Sequence, residues 1–350
     1  MTQANSALYA FGPKLGIDLS LGENPLGCSL KVAQAMQNIT MDELTHYPDP
    51  QAMELKLALA KEFGLKPENF FIANGSEAIM KLLPLNLMFG KDNVVLPETT
   101  FPFFADIFQQ AKKKVKFAKM GKNFAISLED LRAEMDSDTK QVIVCNPNNP
   151  TGQTLSKKDL IQFAKEIAPK ILVVDEAAIH FAGESLISEI NNLPNLLVLR
   201  TFSKAFGIAG LRLGFAVGQK EIIEKLNQNT QPFPVSSAAM HLAQIALKDK
   251  AHIAKSRAFV KSEKAFLQTK LIKLGFEIVP SESNLFLLRV TPLFTGSREF
   301  CTLLAEYDVS VVDGNAFAGL NNEYVRLSVR TRETHLKFLQ ILKKIFKEGL

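Results

Sequence analysis

The sequence predicts an α/β protein: a mostly parallel seven-stranded sheet flanked by helices, with a smaller α+β domain attached. Three observations predict it. Short apolar, β-branched runs alternate with longer helix-period stretches over residues 50–218, as in parallel sheets joined by crossover helices. Most of those runs lack in–out alternation, as expected of strands covered on both faces. The chain of 350 residues also exceeds the roughly 250–300 residues that one hydrophobic core usually serves.

Taken in order, NFFIA (69–73), NVVLP (93–97), VKFAKM (115–120), KQVIVCN (140–146), KILVVDE (170–176), NLLVLRTF (195–202) and GFAVG (214–218) are the expected strands. The last five are expected to be buried on both faces. Helical patterns fill 50–64, 76–90, 101–114 and 156–169, with Gly64 and Gly90 as C-terminal caps. After about residue 235, helical stretches at 236–249 and 250–275 lead into FEIVPSESNLFLLRV, DVSVVDG, YVRLSVR and an amphipathic helix at 332–348. This division gives a large domain at 36–235 and a small domain at 236–350 joined by the N-terminal segment 1–35. No Pro/Gly/Ser-rich linker separates them, so the lobes should pack together.

Composition narrows the function classes. With 47% apolar and 22% charged residues and a net charge of +5, the chain has the make-up of an ordinary soluble enzyme. The basic run Lys112–Lys114 lacks interleaved aromatics, so it reads as a solvated helix end, and no nucleic-acid partner is expected. Cys28, Cys145 and Cys301 are far apart and show no metal-ligand spacing, which fits free thiols in a reducing compartment and no metal. The first 20 residues lack the apolar core of a signal peptide. No apolar run reaches the roughly 18–20 residues of a membrane span. A cytoplasmic protein with no membrane partner is the expectation.

Four polar clusters follow predicted strands, at the C-terminal ends where open α/β sheets bind ligands. In ANGSEA (73–78) a turn glycine precedes a helix starting at Ser76, whose free N–H groups and dipole suit a phosphate. CNPNNPTG (145–152) is a rigid, polar loop able to fix an asparagine amide. In KILVVDE, Asp175 ends a buried strand and therefore needs a cation or donor. TFSKAFGIAGLRLG (201–214) brings together Thr201, Ser203, Lys204 and Arg212. Hydroxyls with arginine suit a phosphate, and a desolvated lysine near a second cation loses its proton and becomes a Schiff-base nucleophile. A phosphate, a ring nitrogen needing a carboxylate and a carbonyl needing a lysine are the handles of pyridoxal 5'-phosphate.

On these motifs the chain resembles the fold-type-I pyridoxal-phosphate aminotransferases, and among them the histidinol-phosphate aminotransferase family. The likeness runs from LGENPLG (21–27) and HYPDP (46–50) to YVRLSVRTRE (324–333). It implies that Lys204 carries the cofactor and moves the proton, and that Asp175 pairs with the ring nitrogen. Asn149 would donate to the phenolic oxygen, and Phe101 would stack on the ring. Backbone N–H groups of Ser76 and Glu77, with Thr201, Ser203 and Arg212, would hold the phosphate. Tyr47 would reach the phosphate of the other subunit of a homodimer with shared sites. Arg326 would grip the substrate α-carboxylate, with Asn284 beside it. The implied reaction moves an amino group between a donor (histidinol phosphate or an α-amino acid) and a 2-oxo acid such as 2-oxoglutarate.

Three positions depart from the family pattern. Ala178 stands where a tyrosine usually helps Asn149 at the phenolic oxygen. Val312 replaces the arginine that holds the substrate's phosphate, which implies a weakened grip there. Arg330 replaces a glycine, in a pattern that resembles the threonine-phosphate decarboxylases. A decarboxylase on the same scaffold is thus one alternative. A non-catalytic, cofactor-binding regulator is another, which would need a DNA-binding extension.

Overall fold

The computed structural model describes residues 15–348; the signal-peptide reading and most of the N-terminal segment before Gly16 lie outside the described residues. In chain order the strands are β1 (Ile17–Asp18), β2 (Phe70–Ala73), β3 (Asn93–Pro97), β4 (Lys114–Ala118), β5 (Thr139–Cys145), β6 (Ile171–Asp175) and β7 (Leu196–Thr201). They continue with β8 (Gly214–Gly218), β9 (Glu277–Ile278), β10 (Leu285–Arg289), β11 (Val309–Ser310), β12 (Val312–Asp313) and β13 (Tyr324–Ser328).

Seven of these form one sheet in the order β2-β8-β7-β6-β5-β3-β4. Only β8 runs antiparallel to its neighbours; the rest are parallel to one another. The C-terminal ends of β2, β5, β6 and β7 and the start of β8 therefore meet along one edge. Helices cover both faces, and two apolar clusters result. One contains Leu59, Phe163, Val174 and Val198; the other contains Met80, Phe108, Val173 and Leu199.

The expected strands are all present, but two details differ from the sequence expectation. β4 is not buried on both faces: Lys114 and Phe117 are exposed. It is an edge strand bonded only to β3, and its lysines keep that open edge from pairing with another chain. Gly90 does not cap a helix, because the helix Ser76–Asn86 ends earlier, at a cap on Leu87. There the buried Asn86 donates Nδ2 to the carbonyls of Lys225 (2.9 Å) and Leu226 (3.0 Å), tying the helix end to a neighbouring helix. Gly64 does cap the helix Met53–Phe63, with a left-handed φ of 66° and its N–H on the carbonyl of Ala60.

The remaining strands build an antiparallel sheet, β12-β13-β10-β9, and a parallel pair, β1-β11. The helices Lys250–Lys273, Ser297–Glu306 and Arg332–Glu348 accompany them. Their shared core includes Leu271, Phe286, Phe300, Val325 and Phe338. The helix Ser237–Lys248, which the sequence places at the start of the smaller lobe, buries Leu242, Ala243 and Leu247 in a core of the large sheet. Val32, on the helix Leu30–Met36, does the same.

Behind the functional edge, Glu176 and Arg200 form a buried ion pair at 2.9 Å. Ser185 Oγ (2.8 Å) and Leu186 N–H (2.7 Å) complete the carboxylate's bonds, and Arg200 Nη2 donates to Ser185 at 2.8 Å. His180 also lies against this guanidinium, at 3.3 Å, and burial with Arg200's charge pushes its pKa down to about 3. Removing one member of such a pair strands a charge in the interior. Arg200→Met should therefore destabilise the fold by about 3–5 kcal/mol in denaturant unfolding, whereas a loss under 1 kcal/mol would show that Glu176 is rehydrated.

Candidate active site

The sheet edge opens into a cavity of about 150 Å³ whose lining includes Ser76, Phe101, Asn149, Asp175, Lys204, Arg212, Asn284 and Arg326. Each side chain arrives for a local reason. β6 ends in Asp175, which its central place in the sheet buries. Ala177 N–H donates to Asp175 Oδ1 at 3.0 Å, and Cys145 Sγ lies 3.9 Å from Oδ2. Desolvation dominates and raises the carboxyl to about 6, although Ala177, Lys204 and Cys145 all favour its charged form.

Lys204 follows β7 on a turn. Burial first, then the charge of Arg326, lowers its pKa to about 8, against the pull of Glu23, Glu77 and Asp175. Both groups line the one cavity, and each is shifted toward its neutral form, the setting in which an amine can act as an acid or base.

At one end of the cavity, Ser76 opens its helix behind Gly75. Thr201 Oγ1 donates to Ser203 Oγ at 2.9 Å, and Arg212 Nη1 reaches that hydroxyl at 3.4 Å. Arg212 has a left-handed φ of 51°, which turns its side chain back to this corner. Two glycines let the walls meet. A Cβ on Gly214 would sit 2.4 Å from Ser76 N, and one on Gly75 would sit 2.9 Å from Arg212 Nη2. The start of a helix, two hydroxyls and a guanidinium thus line the same corner of the cavity, a set of groups that suits an anion.

The other end carries Arg326, on β13 and 2% exposed. Its Nη1 donates to Asn149 Oδ1 at 2.8 Å, and Nη2 donates to the carbonyl of Ser20. The first bond fixes Asn149's oxygen on Arg326 and makes the amide nitrogen its donating end. Asn284 Nδ2 donates to the carbonyl of Gly22 at 3.0 Å, closing this wall. Desolvation lowers Arg326 to about 10, which leaves it charged at neutral pH.

Of the residues to which the resemblance gives a cofactor or substrate role, Tyr47 alone among the described residues stands clear of the cavity. It is 83% exposed and stacks on Phe233 with ring centroids 4.6 Å apart. Glu77 lines the cavity and adds a contact that the sequence reading lacked: its carboxylate pairs with Arg212 Nη2 at 3.2 Å. Sequence reasoning also missed Asn148, which takes a hydrogen bond from Thr100 Oγ1 (2.9 Å) and donates to the Thr99 carbonyl (2.9 Å). Its place in the twice-prolyl asparagine loop was the available signal. Among the departures, Ala178 lines the cavity. Val312 is sealed in an apolar cluster with Leu287, Phe317 and Leu320. Arg330 is engaged by Glu23 Oε2 (3.1 Å), Asp18 Oδ2 (3.5 Å) and the Asp18 carbonyl (2.7 Å).

Comparison with known proteins agrees with this geometry. The family model for aminotransferase class I and II matches residues 14–342. The chain is 36% identical over 344 residues to the histidinol-phosphate aminotransferase of Moorella thermoacetica, covering 95% of this chain and 86% of that protein. It is 31% identical over 340 residues to that of Clostridium botulinum, covering 95% and 92%. The crystal structure of the histidinol-phosphate aminotransferase from Clostridium acetobutylicum superposes with a TM-score of 0.87 at 26% identity, over 95% of this chain and 99% of that one. The Sinorhizobium meliloti enzyme, solved in complex with pyridoxal-5'-phosphate, shares the fold at a TM-score of 0.88 and 21% identity, over 97% and 92%. From sheet order to the residues at its edge, the chain belongs to the aminotransferase class I and II family.

Proposed function

We propose that this enzyme uses pyridoxal 5'-phosphate to move the amino group of histidinol phosphate to a 2-oxo acid such as 2-oxoglutarate. The observation that carries the reading is the placement of Lys204 and Asp175 in one cavity between a cluster of anion-binding groups and a buried arginine. The donor set fits the cofactor. A carboxyl raised to about 6 suits a ring nitrogen that shares its proton, and the two close-approach glycines bring β8 and Arg212 against the helix start, where N–H groups suit a phosphate. The relatives' activity supports histidinol phosphate as donor.

When bound, the cofactor supplies an aldehyde for amines and a ring that draws electrons from the carbon next to the nitrogen. The chain's own residues do the rest. Ser76 and Glu77 N–H groups, Thr201, Ser203 and Arg212 would hold the phosphate. Asp175 would keep the ring nitrogen protonated, Asn149 would donate to the phenolic oxygen, and Phe101 would pack on the ring. Lys204 would anchor the cofactor and, once released, take and return the proton at the reacting carbon. Arg326 and Asn284 would bind the α-carboxylate of the oxo acid. The phosphate of histidinol phosphate extends from the same side of the reacting carbon, and Arg326 would meet it as well, because Val312 offers no cation.

We further propose a cytoplasmic homodimer whose small domain closes on substrate. The free thiols of Cys28, Cys145 and Cys301 suit the cytoplasm. The exposed apolar side chains of Leu30, Met36, Met41 and Leu44, close in sequence to Tyr47, support a dimer interface. Tyr47 would there reach the cofactor phosphate of the partner subunit.

A screen of amino donors read by cofactor absorbance tests the reaction: kcat/KM for histidinol phosphate should exceed that for every α-amino acid, and a better amino-acid donor would reassign the substrate. Borohydride treatment of the holoenzyme should fix the cofactor to the peptide bearing Lys204, so label on another lysine would displace Lys204 from its role. Arg326→Ala should raise KM for both histidinol phosphate and 2-oxoglutarate by at least about 30-fold, equivalent to about 2 kcal/mol, with the cofactor spectrum retained. An unchanged KM for either would place that anion elsewhere.

A further inference from the structure

We propose that Lys264 is a positioning residue for the substrate: its buried ammonium holds the loop 281–284 and, through it, Asn284 and the asparagine loop that carries Asn149. The proposal rests on reading the cavity as the aminotransferase site.

Lys264 lies within the helix Lys250–Lys273 and is only 8% exposed. Burying an ammonium is costly unless its donors are used. Here Nζ donates to the carbonyl of Ser281 at 2.7 Å and to that of Ser283 at 2.8 Å. Two carbonyls of one loop thus converge on one charge. An apolar side chain would fill the same space, but it would give those carbonyls no donor.

The loop's N–H groups are taken on its other side. Glu282 N–H (2.9 Å) and Ser283 N–H (3.1 Å) both donate to the carbonyl of Gly152. Gly152 has φ +72°, and a Cβ there would sit 2.0 Å from Ser281 Oγ and 2.5 Å from the carbonyl of Leu285. This close seam joins the loop to the NPNNPTG run, whose Asn149 accepts from Arg326 at 2.8 Å.

From the loop, contacts lead straight into the cavity. Ser283 Oγ donates to Asn284 Oδ1 at 3.0 Å, and Asn284 Nδ2 donates to the Gly22 carbonyl at 3.0 Å. Ser283, Asn284 and Gly22 all line the cavity. Lys264 opens instead on a separate groove, beside Gln268 and Ser281, so it acts through the loop and not on the substrate. The groups around the proposed cofactor phosphate and ring nitrogen sit at the ends of β2, β6 and β7 and do not hang on this loop. Loosening the loop should therefore weaken substrate binding far more than cofactor retention.

Three variants of the holoenzyme test this: Lys264→Met, Lys264→Gln and Lys264→Arg. The measurements are amide hydrogen exchange at Glu282 and Ser283, cofactor absorbance, and KM and kcat with histidinol phosphate and with L-glutamate. Lys264→Met should speed exchange at both amides by about tenfold or more and raise KM about tenfold, with kcat within about threefold and the cofactor retained. Lys264→Gln, which keeps an amide N–H donor group on a shorter, uncharged chain, should fall between, and it decides the matter where the Met variant does not fold. Lys264→Arg should restore KM. Unchanged exchange and KM in the Met and Gln variants would overturn the proposal. So would a joint fall of kcat, cofactor retention and melting temperature, or a failure of Lys264→Arg to restore KM. If the wild type turned over neither donor, the proposed function would fail, while the exchange measurement would still decide the role of Lys264.

Discussion

The site depends on setting a lysine and a carboxylate into the same cavity, at the C-terminal edge of the large sheet. In water, Lys204 would be almost wholly a cation and Asp175 almost wholly an anion at neutral pH. Burial is the largest influence on both, and it pushes each toward its neutral form, to about 8 and about 6. Their mutual attraction opposes this but does not win. Arg326 tips the balance further by repelling charge on Lys204. The helices on both faces of the sheet supply the burial that shifts both groups.

A dry edge needs its polar groups satisfied from within, and the topology provides for that. Reversing β8 alone puts its start beside the end of β2. Gly214 then lies against Ser76, and Arg212 comes within 3.2 Å of Glu77. A wholly parallel sheet would carry β8's first residues to the opposite edge. The cradle for an anion is therefore a product of strand direction as much as of residue type, and the left-handed φ of Arg212 is part of the same turn.

Much of this was legible in the sequence, because the large sheet is buried on both faces and its strands read as unbroken apolar runs. The polar clusters were legible for the converse reason: Asp175 and Lys204 break the apolar pattern where strands end. The misreadings share one cause. VKFAKM has the composition of a core strand, and nothing local says that β4 has a neighbour on one side only. Gly90 looks like a cap because Asn86's anchors, Lys225 and Leu226, lie far along the chain. Glu77's pairing with Arg212 and Lys264's grip on the loop 281–284 are likewise contacts between distant segments, with no periodic or turn signature. Tyr47 is a different case, since its resemblance-based role concerns a second subunit.

Arg330 shows how a departure from a family pattern can be absorbed by structure. His335 accepts Arg330's backbone N–H on Nε2 at 2.8 Å, so its Nδ1–H is the end that faces Glu263 Oε2, at 3.3 Å. Burial pushes this imidazole down to about 4 and keeps it neutral. Glu263 also takes Arg332 Nη2 at 2.9 Å. With its backbone fixed in this way, Arg330 extends its guanidinium to Glu23 and to both the carboxylate and the carbonyl of Asp18. Asp18 Oδ1 in turn accepts from Ser20 N–H at 2.7 Å and Ser20 Oγ at 2.6 Å, and the Ser20 carbonyl receives Arg326. The contacts therefore run from Glu263, next to Lys264 in the chain, to the Arg326 guanidinium that lines the cavity. In this arrangement Arg330 braces the N-terminal segment against Arg326, and its charge is already spent on Glu23 and Asp18. An arginine at this position is thereby explained without a new substrate. The same helix turn that holds Asn284 through Lys264 holds Arg326 through Glu263.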